Sequence, residues 1–335
     1  MKSPSIRSTG DLARHLGLSR WTVSRALNGH GDIAPETAER VRAEAGRLGF
    51  APSLIGRTLR SGTTDWIGVT IPDPEDYFLT AKVKRLKDLL AETGWQVLIQ
   101  VTEDAAAEQR ALARFAAMRC GGVISVASQA GAETFAGLRQ RGMAAVAVDP
   151  LVPTGVDEVC TDRAGGMRAL VVHLNDRGVR CLLCAEIPAS RQGYAGQRVV
   201  GLRAGARRAG WTSEAIRHWT SDGLSEMRAG AALARAGKIW RDVDAIVALN
   251  DRVAFGFLQC LPKGVRVPDD IAVVGYDNSE IATLSRPGLT SIDPRADELM
   301  ARTADVLLSA IARGRRSKPG GRTVVRPLLV FREST

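Results

Sequence analysis

Residues 18–28 read LSRWTVSRALN, a tryptophan between two arginines with small and hydroxylated residues around it. Val23, Ala26 and Leu27 fall at helical spacing, so one face of a short helix turns inward and Arg20, Trp21 and Arg25 stay on the other. The competing reading packs Trp21 against a neighbouring helix. Upstream, Leu12, Ala13 and Leu16 mark a first helix, and Ser8 stands three residues before Asp11 at capping-box spacing. Gly17 sits where a tight turn needs a positive φ, and the Ser19 hydroxyl suits the next helix start. Downstream, Val41, Ala45 and Leu48 mark a third helix with Pro35 in its first turn. Two helices joined by a short glycine-containing turn form a helix-turn-helix, so residues 1–50 are expected to be an all-α headpiece.

Charge agrees with that reading. Lys plus Arg number 46 against 36 Asp plus Glu, a net +10. Residues 1–62 hold ten basic and five acidic side chains, so half the excess lies in under a fifth of the chain. A positive field concentrated at one end points to a polyanionic partner. No apolar run reaches membrane-spanning length and the first residues lack a leader's apolar core, so a cytoplasmic protein with no membrane contact is expected. Five cysteines, an odd number in apolar segments, fit reduced thiols. The CLLC at 181–184 reads as buried core, because it has no second such pair and no histidine at ligand spacing.

Residues 51–64, APSLIGRTLRSGTT, are too short and glycine-marked for a stable isolated helix and read as a linker. From Trp66 onward apolar runs alternate with charged, helix-period segments. The runs are WIGVTI (66–71), QVLIQV (96–101), GGVISV (121–126), AAVAVD (144–149), CLLCA (181–185), DAIVAL (244–249) and IAVVGYD (271–277). Such a βαβ series predicts parallel sheets covered by helices on both faces. Its length suits two halves, one at about 65–160 and 290–320, the other at about 161–289 and 321–335.

The order of parts resembles the lactose-repressor (LacI) family of bacterial transcription regulators. The resemblance is carried by DLARHLGLSRWTVSRALNG, then APETAERVRAEAGRLGFAPS, IGRTL, IGVTIPDPEDYF, TDRAGGMRALVVHL, ALNDRVAFGFLQCL, VPDDIAVVGYDNSEIA and LTSID, and it covers nearly the whole chain. It implies a helix-turn-helix headpiece, a hinge helix at 51–64 and a periplasmic-binding-protein-like α/β core of two parallel-sheet, Rossmann-like subdomains that senses a small molecule. It also implies double-stranded DNA, a near-palindromic operator, as partner. A recognition helix from Arg20 to about Asn28 would enter the major groove, where Arg25 suits a bidentate contact to guanine. Arg20 and Trp21 occupy the two family positions that vary with operator sequence, and a bulky Trp21 departs from the usual residues there. Ser19, Thr22, Ser24 and Asn28 are short donors suited to phosphates. In the linker, Leu59 aligns with the family's minor-groove wedge, Arg57 is counted with the DNA contacts, and Gly56 stands where the family usually has alanine. No leucine-heptad extension follows VFREST, so a homodimer is expected.

Ligands of open α/β sheets collect beyond the carboxyl ends of strands. Those ends offer Asp73, Tyr77 and Phe78, then Ser125, Asp149, Asn250, Asp251 and Asp277. Arg198 matches the family's effector-anchoring arginine. This mixture of stacking faces, donors and acceptors suits a carbohydrate effector first and a nucleobase or nucleoside second. Asp251 reads instead as a partner of a helix N-terminus. The loop TSDGLSEMRAG lacks the aromatic residue that the family often supplies, with Trp219 just ahead of it. No P-loop, G-x-S-x-G or H-E-x-x-H occurs, and His15, His30, His173 and His218 show no paired ligand spacing, so neither catalysis nor a metal or cofactor is expected. A solute-binding protein is the competing class, and residues 1–62 speak against it.

Overall fold

The computed structural model describes residues 6, 8–27, 32–50, 62–72, 77–186, 192–221, 224–314 and 320–335. Two units divide the chain, residues 1–65 with 117–121 and residues 66–116 with 122–335. The expectations for Asn28, Arg57, Leu59 and Asp73 fall outside the described residues, as do the side chains of Tyr77 and Phe78.

The headpiece holds α1 (Thr9–Leu16), α2 (Arg20–Leu27) and α3 (Pro35–Arg47). Ser8 caps α1 by accepting the Asp11 amide at 3.1 Å, but its hydroxyl also donates to the Asp11 carboxylate at 2.9 Å, so the reciprocal half of the capping box is a side-chain contact. Gly17, at φ +66°, ends α1 in the left-handed conformation that glycine holds without steric cost. Leu12, Val23, Ala26 and Val41 are fully buried where the three helices meet. Burying each of the larger side chains contributes about 1.5–3 kcal/mol, which is what fixes three helices too short to persist alone.

The second unit begins with a lobe made of β1 (Trp66–Ile71), α4 (Tyr77–Glu92), β2 (Gln96–Val101), α5 (Ala105–Ala117), β3 (Gly122–Val126), α6 (Ala132–Gln140), β4 (Ala144–Val148) and β5 (Asp157–Thr161). A second lobe follows with α7 (Arg163–Asp176), β6 (Leu182–Glu186), α8 (Gln192–Arg208), β7 (Ile216–Thr220), α9 (Glu226–Arg235), β8 (Ala245–Ala248), α10 (Asp251–Gln259), β9 (Ala272–Tyr276), α11 (Glu280–Leu284) and β10 (Thr290–Asp293). The chain then returns through α12 (Ala296–Arg313) and β11 (Arg322–Val325) to the first sheet and ends with β12 (Leu328–Val330) on the second. The first sheet, in order β11-β5-β4-β3-β1-β2, is parallel throughout. The second, β12-β10-β9-β8-β6-β7, is parallel except where β12 runs against β10. Strands β3, β8 and β9 are buried along their whole length, as sheets covered on both faces require.

The return lies later than the sequence pattern suggests. Residues 290–293 pair with β9 in the second sheet and 322–325 with β5 in the first, so the returning segment runs from about 294 to 325 rather than 290 to 320. Both strands are four residues long and mixed in polarity, too short for their periodicity to reveal a partner. Helices α9 and α10 cross at Gly230 and Gly256; a Cβ on Gly230 would lie 2.0 Å from the Val253 carbonyl oxygen, and one on Gly256 2.1 Å from that of Met227. The lobes are joined by three crossings, at Asp162, after Asp293 and after Val325. These lie together: the Asp162 amide donates to the Val325 carbonyl at 2.9 Å, and a Cβ on Gly166 would come within 2.7 Å of Pro327 and 3.5 Å of Ile292. Among the described residues no helix is long and apolar enough to cross a membrane.

Candidate functional site

The headpiece exposes one face of α2. Ser19 accepts the Thr22 amide at 3.0 Å and shares a hydroxyl hydrogen bond with Thr22 at 2.8 Å, which starts α2 directly after the Gly17 turn. Val23 and Ala26 point into the core, while Arg20 is exposed and Trp21 is 60% exposed. Packing of Trp21 on α3 is thereby ruled out. Its neighbour on this face is Arg25, whose guanidinium carbon lies 5.1 Å from the indole centroid. Arg25 Nε in turn donates to the Asp32 carboxylate, 2.7 Å from one oxygen and 2.6 Å from the other. Behind the face, Arg47 and His15 both bond Glu44 and hold its carboxyl down near 2, and Arg40 reaches the Leu16 carbonyl at 2.8 Å. These bonds brace α3 against α1, so α2 is presented on a fixed frame.

In the first lobe the strand ends carry a buried polar centre. Glu108, on the inner face of α5, accepts hydrogen bonds from the Ser128 hydroxyl at 2.7 Å, the Gln129 and Ala130 amides at 2.8 and 2.9 Å, and the Ser125 hydroxyl. Ser125 accepts in turn from Thr70 at 3.0 Å. At the end of β4, Asp149 (φ +47°) takes both Nη groups of Arg163 at 2.8 Å and the Thr161 amide at 2.7 Å. Burial acts to raise the Asp149 carboxyl, but Arg163, with Lys82 and the Thr161 amide, holds it below its ordinary value. Ser125 and Asp149, expected to meet the effector, therefore direct these groups into the lobe. The physical reason is that a buried carboxylate needs a partner, and the chain supplies Arg163 and the Ser125 hydroxyl itself. Asp149 also edges a cavity of about 340 Å³, which Leu151, Glu158, Gln197 and Arg322 line as well.

The second lobe is arranged differently. Arg198, on α8, lies 3.6 Å above the Tyr276 ring and donates to the Leu249 carbonyl. Its Nε and the Tyr276 hydroxyl are buried with no hydrogen-bond partner among the described residues. Burial raises the Tyr276 phenol, and the charges of Arg198 and Arg163 only partly offset that. Asn250 caps α10 through the Val253 amide at 2.9 Å and donates to Glu226 at 2.7 Å, so it performs the capping role open to an asparagine at that place. Asp277 and Asn278 follow β9 with φ of +100° and +47°, positive values that Asp and Asn adopt more readily than other side chains. Asp251 is buried against Ser279 and Ser291, and burial pushes its carboxyl up to about 6. Trp219 packs on the lobe's core.

Four residues here were not singled out from the sequence: Glu108, Arg163, Tyr276 and Asp32. Glu108 had a signal, a carboxylate on the same helical stripe as buried Ala111, Leu112 and Phe115. Arg163 sits inside the TDRAGG motif, directly at a crossing. Tyr276 directly precedes Asp277, in a run read only as strand. Chemically, the described residues of the second lobe's rim offer donors to oxygen-bearing ligands and no nucleophile paired with a base. Among the described residues no group of three or more His, Cys, Asp or Glu is placed to hold a metal.

Residues 10–53 match the family model described as bacterial regulatory proteins, lacI family, and residues 171–335 match the periplasmic binding protein-like domain. The transcriptional regulator CelR of Thermobifida fusca is 30% identical, over 99% of this chain and 98% of that protein. The transcriptional repressor PurR of Photobacterium profundum is 27% identical, over 97% of each. Among solved structures, the lac repressor dimer bound to operator and an anti-inducer superposes with a TM-score of 0.83 at 23% identity, over 98% of each chain. The CelR–cellobiose complex gives 0.68 at 25% identity, over 98% of this chain and all of that one. An exposed recognition face on a capped helix, two doubly wound lobes joined by three crossings, and a relative matching almost end to end lead to one conclusion: the chain belongs to the lacI family of bacterial regulatory proteins, whose members regulate transcription and are not enzymes.

Proposed function

We propose that this regulator acts in the cytoplasm as a homodimeric repressor that reads a near-palindromic operator through α2, with Arg20, Trp21 and Arg25 facing the bases. The observation that carries the reading is the division of α2, Val23 and Ala26 fully buried and Trp21 60% exposed beside two arginines. An exposed tryptophan on a basic face gains little from water and much from a groove wall or a thymine methyl. Its effector is a carbohydrate or a derivative, held from the second lobe by Arg198. The unfilled Arg198 Nε and Tyr276 hydroxyl support this, since both suit a ligand rich in oxygens. The solved CelR complex contains cellobiose, which supports the same ligand class. Effector binding between the lobes alters their relative angle, and the segment 51–64 carries that change to the headpiece, a coupling of about 1–3 kcal/mol between two sites.

Selection from random duplexes with the full-length protein, repeated at rising salt, tests the DNA reading. A preferred near-palindrome and a steep loss of affinity with salt are expected. No preferred sequence and a shallow salt dependence would sink it. A thermal-shift screen of sugars against nucleosides tests the effector class, since only a ligand of the folded state raises the melting temperature.

A further inference from the structure

An exposed carboxylate beside a DNA-reading face needs a reason. Residues 1–62 carry a net +5, and every negative charge near the phosphates weakens general DNA affinity. Asp32 stands there nonetheless, 44% exposed, and both of its carboxylate oxygens lie within 2.7 Å of Arg25 Nε. We propose that Asp32 is a positioning residue for base readout, which fixes the edge that Arg25 presents to DNA. The inference rests on α2 being the reading helix.

A guanidinium meets two adjacent acceptors in one of two ways, side-on through Nε and one Nη, or end-on through both Nη groups. Asp32 takes Nε, so the side-on mode is closed. The indole of Trp21 covers the guanidinium from a second direction at 5.1 Å. Held by a carboxylate at one edge and a ring across one face, Arg25 offers its two Nη groups, which make no hydrogen bond among the described residues. That end-on fork matches two neighbouring acceptors, the O6 and N7 of guanine, and no other base edge in the major groove. A loose arginine also contacts phosphates, which carry no sequence information. Asp32 repels those same phosphates, so it lowers affinity for wrong sites as it orients the arginine for the right one. The bland alternative is that the pair only ties the end of α2 to the start of α3.

The test uses the full-length protein and the duplex selected from random sequence, measured beside a scrambled duplex. Asp32→Ala is expected to weaken binding to the selected duplex roughly tenfold, the discrimination worth of one bidentate pair, while the scrambled duplex binds as well as before or better. Base preference should relax at one position per half-site. Asp32→Glu, which keeps the acceptor, should restore most of the discrimination. In an Arg25→Ala background, Asp32→Ala should cause no further loss of it. Equal loss on both duplexes, together with faster hydrogen exchange at Val23 and Ala26, would assign the pair a merely structural role. Unchanged discrimination in Asp32→Ala would also overturn the proposal. If the wild-type protein itself prefers no sequence, the reading of α2 fails and the inference falls with it.

Discussion

At the strand ends of the first sheet, Glu108 and Asp149 are each surrounded by donors from their own chain, four hydrogen bonds of normal or short length to Glu108 and a bidentate arginine on Asp149. At the same ends of the second sheet, Arg198 and Tyr276 keep a buried Nε and a buried hydroxyl without partners among the described residues, and Asp251 sits where its charge is disfavoured. The two lobes share a topology, and both hold buried carboxylates that accept several hydrogen bonds from the chain, Asp251 taking three from Ser279 and Ser291; what sets the second lobe apart is the Arg198–Tyr276 pair. Internally satisfied networks are rigid and specify one arrangement, whereas unfilled donors lower stability until something outside the fold fills them. The Arg198–Tyr276 pair is therefore where a polar group from outside the fold would add most.

The comparison breaks most visibly at Arg163. Arg163→Ala strips the partner from a buried carboxylate and should cost about 3–5 kcal/mol of stability in denaturant titration. A loss below about 1 kcal/mol would mean that Asp149 is wetter than its burial implies. Glu108→Gln comes next, at about 2–3 kcal/mol, because an amide cannot accept from two hydroxyls and two backbone N–H groups at once. Asp251 sharpens the contrast through pH. Its carboxyl titrates near 6 in the fold against an ordinary 3.8, so its stabilising effect is full below about 4 and is lost as pH rises through 6. Asp251→Asn should remove that dependence, and the difference between variant and wild type should change by about 2 kcal/mol between pH 4 and pH 7. The smallest change in stability belongs to Tyr276→Phe, within about 0.5 kcal/mol, since the hydroxyl it removes has no described partner. Yet this variant should lose part of the thermal shift that an effector produces in the wild type. If its melting temperature falls sharply without ligand, the hydroxyl is not the unfilled group described above.

Much of the architecture was legible because long elements announce their period. All seven apolar runs became strands, and the turn at Gly17 and the caps at Ser8 and Ser19 stand where their residue types place them. What escaped was short or mixed in polarity. Strand β5, DEVCT, read as a boundary because its alternation is too brief to separate from a linker. Strands β11 and β12 flank a two-residue crossing and carry almost no periodic signal. For the site, residue type was a better guide than residue state. Asp277 lies at a strand end as expected, whereas Arg198 stands nearly two turns inside α8 rather than at its start, and nothing in the one-dimensional pattern tells that Asp149 already has an arginine. That pairing is a contact between residues fourteen apart, across a crossing, and only the folded chain brings it together.

The three crossings have a mechanical consequence. Because Asp162, Ile292 and Pro327 lie against one another around Gly166, the lobes are held at a narrow waist of three strands side by side. A single strand would leave the lobes free to swivel about any axis, whereas three adjacent strands resist twisting and yield chiefly to bending. Any bending of one lobe on the other would thus be confined to nearly one coordinate. Gly166 sets the thickness of that waist: one methyl group there would press on Pro327 and push the crossing away from α7.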